Sequence, residues 1–430
     1  MTAIEKRWIN ILKQEFKTEL AMLSSDNYDD IAIDSRITLG IRSYRQDTDN
    51  EIDGALFPEI SYSMRHFSAA GRGRIDNGIL SDTTYSGRKT KYFAARLEEA
   101  YGLWQLGKMN LMIGRFGECW SPFFNRSLIV SNNPYTYEKI NFSFQTKHIS
   151  FKSLFSKLDN LQNAVRYFSA HRLDIKLNNG MNFGISESVV YGGVNQPVEW
   201  VYLNPFNIFA ASQLNDKKEA NESVALDFFM PFKKINLRGQ ILIDDFILDG
   251  PDKPAPNRKT SSDRLGFLFG VQLNRIGIGE SQISMTYERV GSYTYNVKQK
   301  RPWQAYTYHE RGLGSSKNDH DLWTINYQFF GIPKFIMALE LFFDRQGQRT
   351  LQSNDFEDST FVKLPFPSGL VQKKIGCFVS TFYQPTTTLS ADLILGFNSF
   401  RQYKHLSKNK FFFVGSIGFN WIIQYSREIK

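Results

Sequence analysis

The residues with chemical reach in this 430-residue chain are six histidines, two cysteines and a set of carboxylates embedded in apolar runs. The histidines (His66, His148, His171, His309, His320, His405) are dispersed; no two stand four apart, as a helical zinc site requires, and no phosphate-cradling glycine loop accompanies them. Asn318-Asp319-His320-Asp321 has the residue types to hold a divalent cation, but a loop or strand-edge hydrogen-bond cluster is the favoured reading. Cys119 and Cys377 lie 258 positions apart, which allows one bridge at most and no structural zinc. No metal, cofactor or catalytic residue is therefore expected. One enzymatic reading stays open: Asp244 or Asp245 with Glu288 would supply the paired carboxylates of a glycan-cleaving enzyme if the fold brought them together.

Two further groups bear on function. Glu98, Arg172, Asp174, Glu187, Arg238, Asp244, Asp245, Glu288, Arg289, Glu340 and Asp344 lie in or beside runs whose apolar residues recur at every second position. If those runs cross a membrane as a barrel, its only wet face is the lumen, and most of these charges should point inward and pair. The second group is aromatic. Trp200 and Tyr202 stand beside Glu199, and Trp303, Tyr306 and Tyr308 beside Arg301, Glu310 and Arg311. Sugar faces stack on such rings while their hydroxyls need planar donors and acceptors nearby, so these are candidate glycan-binding residues. Either set could equally form a rim girdle. Gly71-Arg72-Gly73-Arg74 reads as a solvated turn in a surface loop that Asp82 to Lys91 continues.

The elements that must position these residues follow from periodicity. Trp8, Ile9, Leu12, Phe16, Leu20 and Leu23 recur at helical spacing, so the chain should open with an amphipathic helix, residues 1–28, ahead of a barrel formed by residues 29–430. From Ile31 onward the period is two. In the last strand Phe411, Phe413, Gly415, Ile417, Phe419, Trp421, Ile423 and Tyr425 occupy one face and smaller or polar residues the other. At about 3.3 Å per residue and a 45° tilt that run reaches roughly 33 Å in depth, enough to cross a bilayer. No stretch of about 18 residues is apolar without a charge, which excludes helical spans. Mean hydropathy of −0.36 is compatible with a barrel, because alternating residues average out. A net charge of +9 interleaved with acids argues against a nucleic-acid partner.

Sixteen candidate strands stand out, separated alternately by tight turns (178–180, 231–234, 331–333, 384–386) and long polar loops (192–221, 248–263, 293–319, 348–370). Keeping that rhythm requires one more strand between residues 117 and 137 and another before residue 91. The expected fold is thus all-β, a transmembrane antiparallel up-and-down β-barrel of about eighteen strands with a short N-terminal amphipathic helix. Met1 to Leu20 has no uninterrupted apolar core, so the sequence is expected to be a mature chain or one whose start was assigned late.

Several ordered blocks resemble the Wzi capsule-assembly family of outer-membrane proteins. They are Gly114-Arg115, Trp120-Ser121-Pro122, Ser127 to Asn133 (SLIVSNN), His171-Arg172-Leu173, Ser186 to Gly193, Tyr202-Leu203-Asn204-Pro205, Gln240 to Phe246, Tyr287 to Val290, and Gly312-Leu313-Gly314 before Asp319 and Asp321. They span about residues 90–345. The family's usual Trp-Gly-Pro is Trp-Ser-Pro here, preceded by Cys119, so a different backbone is expected at that turn. The resemblance implies an eighteen-stranded barrel in the bacterial outer membrane with the helical segment 1–28 at its periplasmic end, acting as a lectin that helps attach capsular or extracellular polysaccharide to the cell surface. Its partners would be that polysaccharide, outer-membrane lipid and capsule export machinery. Arg115, Trp120, Asn132, Asn133, Arg172, Glu187, Tyr191, Asp244, Asp245, Glu288, Asp319 and Asp321 would form its lumen network. The rival is a substrate-specific porin or glycan translocation channel, with Arg115, Arg172, Glu187, Asp244, Asp245 and Glu288 lining an aqueous path.

Overall fold

A computed structural model describes residues 31–47, 49–216, 220–244, 264–276, 280–353 and 365–429, together with Ile9 and Lys13. The expected N-terminal helix lies outside the described residues. So do Asp245 and the loop 248–263.

In chain order the strands are β1 (Ile31–Gln46), β2 (Asp49–Met64), β3 (Phe67–Asp76), β4 (Ala94–Leu106), β5 (Met109–Phe116), β6 (Tyr137–Gln145), β7 (Ile149–Lys157), β8 (Val165–Lys176), β9 (Asn182–Gly193), β10 (Asn221–Pro231), β11 (Ile235–Asp244), β12 (Leu265–Asn274) and β13 (Ser281–Val290). A two-residue hairpin follows, β14 (Thr307–Tyr308) and β15 (Arg311–Gly312), and then β16 (His320–Ile332), β17 (Phe335–Gln346), β18 (Gln372–Tyr383), β19 (Leu389–Arg401) and β20 (Lys410–Ile429). All but the hairpin belong to one 18-stranded antiparallel sheet. It closes where β1 pairs with β20, from Ile31 opposite Ile429 to Gln46 opposite Val414. Closure leaves no unpaired strand edge, the condition a sheet must meet in lipid.

Side chains obey the two-residue period. On β20, Phe411, Phe413, Ile417, Phe419, Trp421, Ile423 and Tyr425 are exposed on the outer face, whereas Val414 and Ser416 are buried inside. β12 repeats it with Leu265, Phe267 and Phe269 outward. Both ends of the barrel chain and the tight connections share one rim and the long connections the other, apart from the two-residue β1–β2 turn, which lies on the long-loop rim.

One expected strand and one expected loop are corrected. Residues 117–136 form no strand; they fold into the lumen. The strand that restores the rhythm is β7. The tight Thr146-Lys147-His148 turn before it has no Gly or Pro to mark it, so the sequence pattern runs on through His148. The strand needed before residue 91 is β3, which contains Gly71-Arg72-Gly73-Arg74. Gly71 and Gly73 pair with outward-facing Ile60 and Leu97, so the outer face of β3 carries almost no side chain there and its period is invisible in the sequence. Arg72 and Arg74 point inward and pair with Glu98, Glu99 and Asp76.

Candidate functional site

The inner faces of β6 to β13 carry a continuous apolar surface that includes Leu154, Phe168, Val190, Ala225, Leu242, Leu268 and Val290. A water-filled lumen would leave this surface exposed. Instead the 117–136 loop packs its Trp120, Phe123, Leu128, Ile129 and Val130 against it, and the 291–319 loop adds Tyr295, Tyr306 and Leu313. A wall residue, Gln240 on β11, anchors the first loop: its Oε1 accepts from Leu128 N at 2.7 Å and its Nε2 donates to Trp120 O at 2.8 Å. Ser127 Oγ, which also donates to Trp120 O at 2.9 Å, shapes the turn. The two loops are then sewn together. Ser131 N donates to Leu313 O at 2.8 Å, Asn133 Nδ2 to Gly312 O at 2.9 Å, and Tyr306 Oη to Ile129 O at 2.7 Å. Arg166 on β8, 1% exposed, holds the second loop through Trp303 O at 2.8 Å and Thr307 O at 2.9 Å, with Asp159 at 3.0 Å balancing its charge.

Between this plug and the wall of β3 to β6 lies a polar cavity of about 360 Å³. Arg72, Arg96, Glu98, Glu99, Glu118, Asn132, Asn133, Tyr135, Lys139 and Arg311 are among its lining residues, at the long-loop end of the lumen. Tyr135 is flanked by two guanidinium groups, Arg96 at 4.4 Å and Arg311 at 4.1 Å from the ring centre. Arg311 is fixed by Asp82 at 2.7 Å and by Thr84 Oγ1 at 2.8 Å. Burial alone would raise the Asp82 carboxyl, but hydrogen bonds from Thr84 and the charges of Arg311 and Lys89 outweigh it and hold the group below its ordinary value. Glu118 accepts from Trp120 Nε1 at 2.7 Å and pairs with Lys152 at 2.9 Å. The cavity therefore offers fixed guanidinium and amide donors, carboxylate acceptors and aromatic rings within one volume. That is the chemistry of hydroxyl-rich ligands.

Of the sequence candidates, the structure brings Asn132, Asn133 and Arg311 to this cavity. Tyr308 packs on Tyr137 beside it at 5.1 Å between ring centres, whereas Arg115, expected in the lumen, shares the outward phase of Ile113 and pairs with Glu138 at 3.0 Å. Trp303 contributes its carbonyl to Arg166, and Tyr306 is fully buried in the plug. Trp120, Arg172, Asp244 and Glu288 lie in the lumen as buried structure. Arg172 bonds Asp174 and Asp227, each at 2.6 Å. Asp244 accepts from Ser223 Oγ at 3.0 Å and Tyr295 N at 2.7 Å. Glu288 accepts from Ser315 Oγ at 2.7 Å and faces His320 and Arg126.

Other candidates lie elsewhere. The loop after β9 carries two short helices, α1 (Trp200–Leu203) and α2 (Phe209–Asp216), and folds down the outside of the barrel. There Tyr202 and Phe209 cover the outward-facing Tyr167, Val189 and Tyr191. Glu187 belongs to that outer face, in register with His171. Trp200 is 83% exposed on the far side of the flap. Asp319 is buried in the loop and accepts from Ser292 Oγ at 2.6 Å and Ser368 N at 2.9 Å. Asp321 faces outward and binds Arg345 Nε at 2.7 Å. Asp319, His320 and Asp321 thus diverge, and among the described residues no group of three or more His, Cys, Asp or Glu could hold a metal. Arg166, Arg96 and Tyr135 are not singled out in the sequence, and Gln240 enters there only as part of the Gln240 to Phe246 block. Arg166 and Gln240 had one available signal, a polar residue on the inward phase of an otherwise apolar strand.

The family model for capsule assembly protein Wzi matches residues 33–319. No curated protein matches the chain by sequence. Among solved structures, the chain resembles Wzi of Escherichia coli, an outer membrane protein involved in group 1 capsule assembly and a carbohydrate binding β-barrel. The TM-score is 0.64 and identity 13%, covering 98% of this chain and 89% of that one. It also resembles OccK3 (OpdO) of Pseudomonas aeruginosa, with TM-score 0.51 and 10% identity over 94% and 99% of the two chains. OccD3 (OpdP) of the same organism gives TM-score 0.50 and 9% identity over 91% of each.

Proposed function

This chain belongs to the capsule assembly protein Wzi family, and from that premise we propose that it is an outer-membrane lectin that binds capsular or extracellular polysaccharide and helps hold it on the cell surface. The observation that carries the reading is the polar cavity between the plug and β3 to β6. Its volume falls within the about 300–1,000 Å³ of small-ligand sites, so it would take a short segment or end of a glycan while the rest of the polymer stays outside. Asn132 and Arg311 would donate to sugar oxygens, and Tyr308 would present a ring beside them. The long-loop rim would face the exterior, the tight turns the periplasm, and outer-membrane lipid the apolar belt. Capsule export machinery would be met from the periplasmic side.

The test uses the full chain folded in detergent, with a compact band that shifts on boiling as the sign of a formed barrel. Retention of purified capsular polysaccharide is measured on the same sample. Asn132→Ala with Arg311→Ala should keep the band and weaken retention at least about tenfold, the loss expected from two hydrogen-bonding groups, one of them charged. Retention unchanged in that variant would remove the cavity from the reading. Release of reducing ends from the polysaccharide would replace it with an enzymatic one.

One observation favours a second reading. Away from the plug, the inner wall of β1 and β19 carries the Arg42–Asp392 pair at 3.0 Å with Arg42 half exposed. A charged, wetted wall of this kind suits a substrate-specific porin or a glycan translocation channel.

A further inference from the structure

Five residues from five adjacent strands form one cross-strand row on the outer face of the barrel. Arg289 on β13 stands opposite Asp321 on β16, Asp321 opposite Arg345 on β17, Arg345 opposite Lys373 on β18, and Lys373 opposite Arg401 on β19. Their outward direction follows from the residues two positions further along each strand. Trp323 and Ile375 are exposed on the lipid face, and Tyr287 packs on Trp323 with ring centres 4.5 Å apart. All five lie at the long-loop ends of their strands.

The row holds four cations against a single carboxylate. Asp321 is taken up by Arg345, and the Arg289 guanidinium lies over the Phe366 ring at 3.9 Å. Lys373 and Arg401 are exposed, and neither has an ion-pair partner among the described residues. Like charges directly opposite each other destabilise a ladder, so Arg345–Lys373 and Lys373–Arg401 oppose the fold unless an anion bridges them. Among the described residues of 365–429 the carboxylates are Asp392 and Glu428, both toward the tight-turn ends of β19 and β20. The next loop adds the exposed Lys404 and Lys408. Immediately below the row the belt turns apolar, with Trp323, Ile375, Leu341 and Val379 exposed. Cations on the lipid face are tolerated at the interface and not at the midplane, and this is the depth at which lipid headgroups lie.

We propose that this row binds the phosphate groups of the phosphorylated glycolipid of the outer leaflet, with Lys373 and Arg401 contacting phosphate and Arg345 completing the site. Arginine's planar fork suits phosphate oxygens, and lysine serves as a point charge beside it. The proposal rests on the outer-membrane placement above but not on glycan binding in the lumen.

The experiment titrates the detergent-folded full chain with bisphosphorylated lipid A and reads bound lipid by native mass spectrometry. Lys373→Glu with Arg401→Glu should retain the heat-modifiable band and lose lipid A affinity by more than about tenfold, since each surface cation contributes appreciably to anionic-lipid attraction. Lys233→Glu with Lys234→Glu, on the opposite rim, should bind as the parent does. Lipid A stripped of its phosphates should bind the parent no better than the bisphosphorylated form binds the reversed variant. If the reversed variant fails to fold, Lys373→Gln with Arg401→Gln is measured instead, with a smaller loss in the same direction. Equal affinity of parent and variant, or equal affinity for both forms of lipid A, overturns the proposal. So does a variant that loses capsular polysaccharide and keeps lipid A, because the row would then belong to the glycan.

Discussion

A β-carbon on Gly314 would stand 2.3 Å from Leu128 O and 2.8 Å from Tyr295 Oη, a distance no neighbour can accept without moving. The seam between the two plug loops therefore depends on the absence of one side chain. Gly314→Ala should force the loops apart and destabilise the folded barrel by about 1–3 kcal/mol, the usual effect of overpacking, read as a lower temperature for the heat-modifiable shift. Arg172 makes the opposite kind of contribution. It is buried and neutralises Asp174 and Asp227, so Arg172→Ala leaves two buried carboxylates uncompensated and should cost about 3–5 kcal/mol. Arg172→Lys should rescue little, because a point charge cannot reproduce the forked contacts to both aspartates. The Asp82–Arg311 contact should titrate. Its folded carboxyl lies below the ordinary value, so its stabilisation is fully present above about 3.9, the unfolded value, and is lost as pH falls through the folded value. Polysaccharide retention should weaken over that acid range, and Asp82→Asn should remove that part of the dependence. A retention profile that is the same in parent and variant would mean the contact does not hold the cavity. These roles were only partly legible in advance. Arg172, Glu288 and Asp244 could be placed in the lumen because charge on a period-two strand has one wet face to choose. Tyr306 and Tyr202 looked like surface aromatics because the sequence does not say which loops fold back on the barrel.

At the scale of elements, the flap of α1 and α2 is the clearest case of a loop that reverses a residue's expected surroundings. Tyr167, Val189 and Tyr191 occupy the outward phase of β8 and β9, where lipid would touch them, yet the flap buries all three. In exchange it presents Trp200 and Phe206, each 83% exposed, and Ile208, 63% exposed, on its own outer side. An exposed aromatic group beside the long-loop rim is what an interfacial anchor needs. Trp200 should therefore lie within reach of lipid, and brominated lipids should quench the parent's fluorescence more than that of Trp200→Phe. Equal quenching would return Trp200 to the solvent side and to consideration as a glycan contact. The strands themselves were more readable than the loops. β20 declares itself because bulky residues fill one phase for its whole length; β3 hides because glycine and alanine fill the outward phase, and β7 because its turn lacks Gly and Pro. A strand is expected between residues 117 and 137 only because the rhythm of turns and loops needs one more crossing, and β7, hidden behind its unmarked turn, is that crossing.

For the molecule as a whole, the decisive property is whether the plug closes the barrel. The plug rests on β6 to β13, where the inner wall is apolar and the loop fits it, whereas the wall from β17 round to β2 keeps polar groups such as Asn420, Asp392 and the half-exposed Arg42. A loop held against only one side can seal the barrel if it stays in place and gate it if it does not. Gln240 is the wall contact that decides between the two, because its single side chain binds both Leu128 and Trp120. Its hydrogen bonds are worth about 1 kcal/mol each, so Gln240→Ala should loosen the loop without unfolding a barrel stabilised by eighteen paired strands. In planar bilayers the parent should then show no steady open channel, and the variant should show intermittent openings. A large, steady conductance in the parent would mean that the wetted wall is already a passage, and the porin reading would displace the lectin. Silence in both would mean that the apolar fit of Leu128, Ile129 and Val130 holds the plug without Gln240, and the barrel would then act as a closed support for a surface-binding site.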